Sequence, residues 1–147
     1  MERILIVDPD EEVLKDIQLI LQTHKYKTSI FTSVENAISE LPNFAPDLIL
    51  SETRFDGLTG YDFLEYKLNN DAISSIPFVF VSLESSERKI RKAMNMGADD
   101  FLTKPFAAID LLASIKARLH KYSSQKKRLN SSEYLSSDSK KVSNNIN

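Results

Sequence analysis

At 147 residues the chain has the length of one domain with an extension, because domains cluster around ~100 to 150 residues. A content of 41% hydrophobic and 27% charged residues excludes a fibre or a wholly disordered chain. With 19 Lys and Arg against 21 Asp and Glu, the net charge of -2 excludes a global basic field for nucleic acid, and zero cysteines exclude a disulfide framework, a thiolate nucleophile and zinc-cysteine centres.

The opening MERILIV carries an apolar run shorter than the ~7 to 15 residues of a secretory signal, and no stretch approaches the ~18 of a membrane span. A soluble, cytoplasmic protein is expected. Arg3 to Val7 (RILIV) reads as a strand buried on both faces, since an unbroken β-branched run suits the middle of a parallel sheet. A helix follows in DPDEEVLKDIQLILQ, where Val13, Ile17, Ile20 and Leu21 share one stripe of a ~3.6-residue period. Asp8 is its expected cap, with Pro9 in the first turn and Glu11 three residues after the cap.

The pattern then repeats. Thr28 to Thr32 reads as a second strand, and Ser33 caps a helix with Val34, Ala37, Ile38 and Leu41 on its apolar side, Pro42 and Pro46 bracketing the exit. LILSE (Leu48 to Glu52) is a third strand, followed by a loop from Thr53 to Gly60 and a helix near Tyr61 to Leu68. Pro77 opens the strand FVFVS (Phe78 to Ser82); Ser85 or Ser86 caps a helix running to Met96, which Gly97 ends. A short strand DFLT (Asp100 to Thr103), Lys104-Pro105, and a helix carrying Leu111, Leu112, Ile115 and Leu119 complete the alternation.

Five strand-helix pairs predict a doubly wound parallel sheet with helices on both faces over residues 1 to 122, because each parallel connection needs a crossover. From Ser123 to Asn147 the chain turns to Ser, Lys and Asn and is expected to be a flexible extension, unable to bury enough surface to offset its ordering entropy. Its basic cluster Lys126-Lys127-Arg128 reads as a solvated helix end, and the stretch is too short and polar for a helix-turn-helix, so no nucleic-acid partner is expected.

Ligands and chemistry gather outside the carboxyl ends of strands in open α/β sheets. Four polar residues fall there: Asp8, Glu52, Ser82 and Lys104. Each alone has a bland reading, as a helix cap, a solvated loop acid or an ion-pair partner; together they face one crevice.

The blocks ILIVD, PDLILSE, IPFVFVS and GADDFLTKPF, in this order and at these separations, resemble the receiver domain of two-component response regulators over Arg3 to Tyr122. The resemblance implies a CheY-like, flavodoxin-like (βα)5 fold with strand order 2-1-3-4-5. It also implies phosphotransfer from a histidine kinase to an aspartate after the third strand, Mg2+ held by acids after the first, and phosphoryl oxygens bound by a Ser or Thr hydroxyl and a Lys. Ser82 and Lys104 match those last positions, and Phe101 matches the aromatic switch, whose inward orientation goes with the active state.

Three positions depart from the family. Glu52 replaces the phosphoacceptor aspartate, Pro9 replaces an acid, and Leu83 fills a place usually small. One extra methylene moves the carboxylate oxygens by about 1 Å, a misplacement that can cost ~100-fold in a positioned reaction. With Pro9 in place of a carboxylate, Asp8 and Glu52 offer at most a weak Mg2+ site; Asp10 is turned away by Pro9.

The expected function is thus a single-domain, phosphorylation-independent pseudo-receiver, not an enzyme, in which Glu52 reaches toward Lys104 and Ser82 as a phosphoryl oxygen would. It would act through contacts with signalling proteins, a histidine kinase or an output protein, as a monomer or weak dimer without a membrane partner. Ile90, Met94, Phe101 and Ala108 would belong to the output face. Two alternatives stand beside it: a working receiver phosphorylated on Glu52 or on Asp56 in the following loop, and a small-ligand binder using the crevice, for which no glycine-rich phosphate loop is present.

Overall fold

The computed structural model describes the backbone of residues 1–143 and the side chains of residues 1–126. Five strands, β1 (Arg3–Val7), β2 (Lys27–Phe31), β3 (Leu48–Ser51), β4 (Phe78–Ser82) and β5 (Asp100–Thr103), alternate with five helices: α1 (Glu11–Thr23), α2 (Val34–Phe44), α3 (Gly60–Leu68), α4 (Glu87–Met96) and α5 (Ala108–Ser143). The strands form one parallel sheet in the order β2-β1-β3-β4-β5, as the resemblance implied.

Alternation along the central strands builds two cores. Leu5, Val7, Ile49, Phe78 and Phe80 point to the face covered by α2, α3 and α4, where they meet Val34, Leu41, Phe63, Leu64 and Ala93. Ile4, Ile6, Leu48, Leu50, Val79 and Val81 point to the face of α1 and α5, against Leu14, Ile17, Leu21, Leu111 and Ile115. A period of two is the geometry of a strand, and here both sets are apolar because both faces are covered.

Local signals set most boundaries. Ser33 caps α2 by accepting from the Asn36 amide, Ser86 caps α4 from Lys89, and Gly97 ends α4 in a left-handed conformation at φ 116°. Thr59 and Asp62 form a reciprocal capping box at the start of α3.

Several expectations need correction. The cap of α1 is Asp10, whose side chain accepts from the Glu12 amide, and not Asp8, which lies two residues upstream in the strand-end loop. The stripe of α1 centres on Leu14, Ile17 and Leu21, with Val13 and Ile20 at its flanks. Pro42 lies inside α2, whose last turn continues to buried Leu41 and Phe44 before Ala45 turns left-handed. In the described backbone α5 runs on through Ser123 to Ser143, while among the described side chains its buried apolar contacts with the sheet end at Leu119. The side chains of Lys127 and Arg128, and residues 144–147 altogether, lie outside the described residues. No helix among the described residues is long and apolar enough to cross a membrane.

One glycine is required by close approach. A Cβ on Gly60 would fall on the Glu52 carbonyl oxygen and come within 3.0 Å of the Phe80 ring. At Gly57 a Cβ would meet only the Glu35 carboxylate, the movable end of a side chain. Gly60→Ala should therefore cost about 1 to 3 kcal/mol in urea denaturation, and Gly57→Ala clearly less.

Candidate functional site

Strand register places the site. Val7 pairs with Ser51, so the next residues out, Asp8 and Glu52, stand side by side. Ser82 pairs with Thr103, which puts Lys104 one step beyond at the same edge. Ser51 pairs with Phe80, so Ser82 is level not with Glu52 but with Thr53.

The structure brings all four expected residues together. Asp8, Glu52 and Ser82 are buried at 3%, 5% and 0% exposure. The Lys104 ammonium donates to Asp8 Oδ2 at 2.6 Å and to Glu52 Oε2 at 2.7 Å. Glu52 Oε1 accepts from the Thr53 amide at 2.7 Å and the Thr53 hydroxyl at 3.1 Å, and Oε2 also takes the Leu83 amide at 3.3 Å. Glu52 thus reaches Lys104 directly but meets Ser82 through Thr53, whose Oγ1 lies 2.9 Å from Ser82 Oγ.

The directions of these bonds follow from donor counting. A carboxylate can only accept, so the single Thr53 hydroxyl proton goes to Glu52. Ser82 must then donate to Thr53, and its own oxygen accepts from the Glu84 amide at 3.0 Å. One polar chain runs from the Glu84 amide through Ser82 and Thr53 to Glu52, every link pointing the same way. Burial pushes the Glu52 carboxyl up, but Lys104 and the Thr53 amide more than reverse this and hold it below its ordinary value. Asp8 is held above its ordinary value by burial, which Lys104 and the Asp10 amide only partly offset and the Glu52 charge reinforces. Lys104 is pushed down by burial and raised overall by its two carboxylates.

The donor set does not fit a divalent cation. Each carboxylate gives one oxygen to an ammonium and the other to a backbone amide, and among the described residues no three His, Cys, Asp or Glu side chains converge to hold a metal. Asp10 is spent on its helix cap, and Pro9 supplies no ligand.

Leu83 stands 75% exposed at the mouth of the crevice, beside Pro9 and Val13. Asp56 is exposed and lines a different hollow, away from Ser82 and Lys104. Phe101 is half-buried with its ring centroid 5.7 Å from that of Phe80, and Phe80 lies 5.3 Å from Tyr61. On the surface assigned to output, Met94 is 40% exposed, Ala108 is exposed and Ile90 half-buried.

Sequence reasoning missed Thr53 and Glu84. Thr53 could have been found only from the register, which levels it with Ser82. Glu84 gathers Arg54 and Lys89, each at 3.0 Å on Oε1, and the Tyr61 hydroxyl at 3.1 Å on Oε2. Burial and the Glu84 carboxylate push the Tyr61 hydroxyl up to about 12.

The response regulator receiver domain family matches residues 4–116. The chain is 28% identical over 121 residues to the sensory transduction protein RegX3 of Mycobacterium tuberculosis, covering 82% of this chain and 52% of that protein. It is 27% identical over 121 residues to the phosphate regulon transcriptional regulatory protein PhoB of Escherichia coli, covering 82% and 53%. The chain spans about half the length of these curated relatives. A CheY-like receiver from Methanospirillum hungatei superposes with TM-score 0.78 at 26% identity, over 85% of this chain and 98% of that one. A two-component response regulator from Clostridium difficile gives 0.75 at 26%, over 82% and 97%.

Lys104→Met should leave two adjacent buried carboxylates and cost about 3 to 5 kcal/mol at neutral pH. The pH slopes then differ in sign. In the parent, Glu52 titrates below its unfolded value of about 4.5, so its stabilisation is full above that pH and is lost as pH falls through the lower folded value; Asp8, raised in the fold, works the other way and blunts the loss. Without the ammonium both carboxyls titrate above their unfolded values, so the variant should regain stability as pH falls from 7 toward 4, checked by urea denaturation across that range. Register, ion cluster and family match converge: the chain belongs to the response regulator receiver domain family of two-component signalling.

Proposed function

We propose that this receiver works without phosphotransfer, Glu52 standing permanently where related domains carry a transient phosphoryl group, and that it signals through protein contacts. The observation that carries the reading is the 2.7 Å contact between Glu52 Oε2 and the Lys104 ammonium. Lys104 is the group that would receive an incoming phosphoryl oxygen, and it is already held by two carboxylates. Ser82, the second such group, donates its proton to Thr53. Glu52 brings one negative charge in place of the ~1.5 to 2 of a phosphate, but charge-assisted bonds to a shielded ammonium are among the stronger ones, worth about 1.5 to 3 kcal/mol.

A second line of support is Phe101, whose ring rests on Phe80 and the core cluster. That position favours a lock resembling the active state. The domain then acts as a binding module and not as a catalyst of its own phosphorylation, needs no Mg2+, and has signalling proteins, a histidine kinase or an output protein, as partners.

The test is direct. After incubation with acetyl phosphate and Mg2+, intact-mass analysis should show no adduct of about 80 Da, one phosphoryl group, and calorimetric titration with beryllofluoride and Mg2+ should show no binding. A stable adduct on Glu52 or Asp56 would establish the working receiver and end this reading.

A further inference from the structure

The two groups that would bind phosphoryl oxygens are closed off by different partners. Lys104 is held by two carboxylates, whereas Ser82 meets the hydroxyl of Thr53. Ser82 borders the crevice that opens over Asp8, Glu52 and Lys104; Thr53 does not, and lies instead on the neighbouring hollow with Asp56 and Tyr61. A proton that Ser82 gives to Thr53 is therefore turned away from the crevice. Thr53 has little freedom to change this. Its amide donates to Glu52 Oε1 at 2.7 Å, and its carbonyl accepts the Gly60 amide at 3.0 Å, with Gly60 packed so closely on the Glu52 carbonyl oxygen that a Cβ finds no room. The Thr53 hydroxyl then stands between Glu52 Oε1 at 3.1 Å and Ser82 Oγ at 2.9 Å, with one proton to give. The carboxylate takes that proton, so Thr53 offers Ser82 a lone pair. Ser82 already accepts the Glu84 amide at 3.0 Å, and donates its own proton to Thr53.

We propose that Thr53 is a positioning residue whose hydroxyl holds the Ser82 proton out of the crevice, a second closure of the site that is separate from the contact of Glu52 with Lys104. An anion entering the crevice meets the lone pairs of Ser82 and not its proton. To bond the anion, Ser82 must leave the Thr53 oxygen without a donor at a place where Thr53 is 1% and Ser82 0% exposed, so water does not replace it. A neutral hydrogen bond lost in this way corresponds to about a tenfold change in affinity. The closure requires only an acceptor-only carboxylate at position 52, and Glu52→Asp keeps one there. Restoring the two acids of the family pattern, by Glu52→Asp with Pro9→Asp, thus leaves Ser82 closed. The inference rests on the phosphorylation-independent reading and adds to it a residue that acts through Ser82.

The test compares three intact chains that all carry Glu52→Asp with Pro9→Asp: this double variant itself, the same with Thr53→Val, and the same with Thr53→Ser, each titrated calorimetrically with beryllofluoride and Mg2+. Thr53→Val, which fills nearly the same space without the hydroxyl, should bind about tenfold more tightly than the double variant, and Thr53→Ser, which keeps the hydroxyl, should match it. A residue that merely packs would not produce this pattern. In the parent background, the NMR coupling between the Ser82 hydroxyl proton and its β protons reports where that proton points; it should be alike in the parent and Thr53→Ser and different in Thr53→Val. The proposal falls if Thr53→Val binds no more tightly than the double variant, whether both bind or neither does, or if the coupling at Ser82 is the same in all three chains. Failure of the underlying reading looks different: tight beryllofluoride binding by the parent, with Glu52 in place, removes phosphorylation independence, whereas equal affinities of the Thr53 and Thr53→Val forms remove only the role of Thr53.

Discussion

One ammonium between two buried carboxylates governs this molecule. Removing three charges from water costs several kcal/mol per ion, and the cost is met only where every lone pair and proton finds a partner. The parallel register imposes the encounter: Asp8 and Glu52 leave adjacent strands at one height, and Lys104 arrives from the edge strand. The two acids are not equivalent. Glu52 collects the Thr53 amide, the Thr53 hydroxyl and the Leu83 amide besides Lys104, while Asp8 has the Asp10 amide and Lys104. The excess of donors explains why Glu52 is held below its ordinary value and Asp8 above its own, although both are buried to a similar degree.

The extra methylene of glutamate has a consequence that charge alone does not capture. It carries Oε2 to the ammonium while Oε1 stays within reach of the neighbouring amide and hydroxyl. A carboxylate placed this way commits Thr53 as donor, Thr53 commits Ser82, and Ser82 is left to accept from Glu84. The loop after β4 is therefore held to the loop after β3 through hydrogen bonds whose direction is set by one acceptor-only group. Such a chain has no alternative arrangement unless Glu52 takes up a proton, and its lowered pKa resists that at neutral pH.

Much of this was legible in the sequence, for identifiable reasons. Strands buried on both faces announce themselves as unbroken apolar runs, and Ser33, Ser86 and Gly97 mark helix ends by their own side-chain chemistry or the lack of one. The four polar residues at the strand ends could be named because each follows such a run directly. Register could not be read. Thr53 looks like any loop residue until Ser51 is known to pair with Phe80, and Glu84 looks like solvent charge until Tyr61, Arg54 and Lys89 are seen on it. The start of α1 went astray because Asp8 and Asp10 flank Pro9 and both are good caps; burial of Asp8 under Lys104 leaves Asp10 for the helix.

The ion cluster and the outer surface are joined by contact. Tyr61 holds Glu84 by its hydroxyl and packs its ring on Phe80, which in turn touches Phe101 on the edge strand. Phe80 is fully buried and also abuts Phe78 at 5.0 Å, so it has no free volume in which to absorb a displacement of either neighbour. Anything that pulls the loop carrying Glu84 must move Tyr61 or break its bond, and the first course is transmitted to Phe101. In a phosphorylated receiver the displacement would begin at a group that comes and goes. Here the inner end of the chain is the Glu52 carboxylate, held by Lys104 and by the Thr53 amide and hydroxyl.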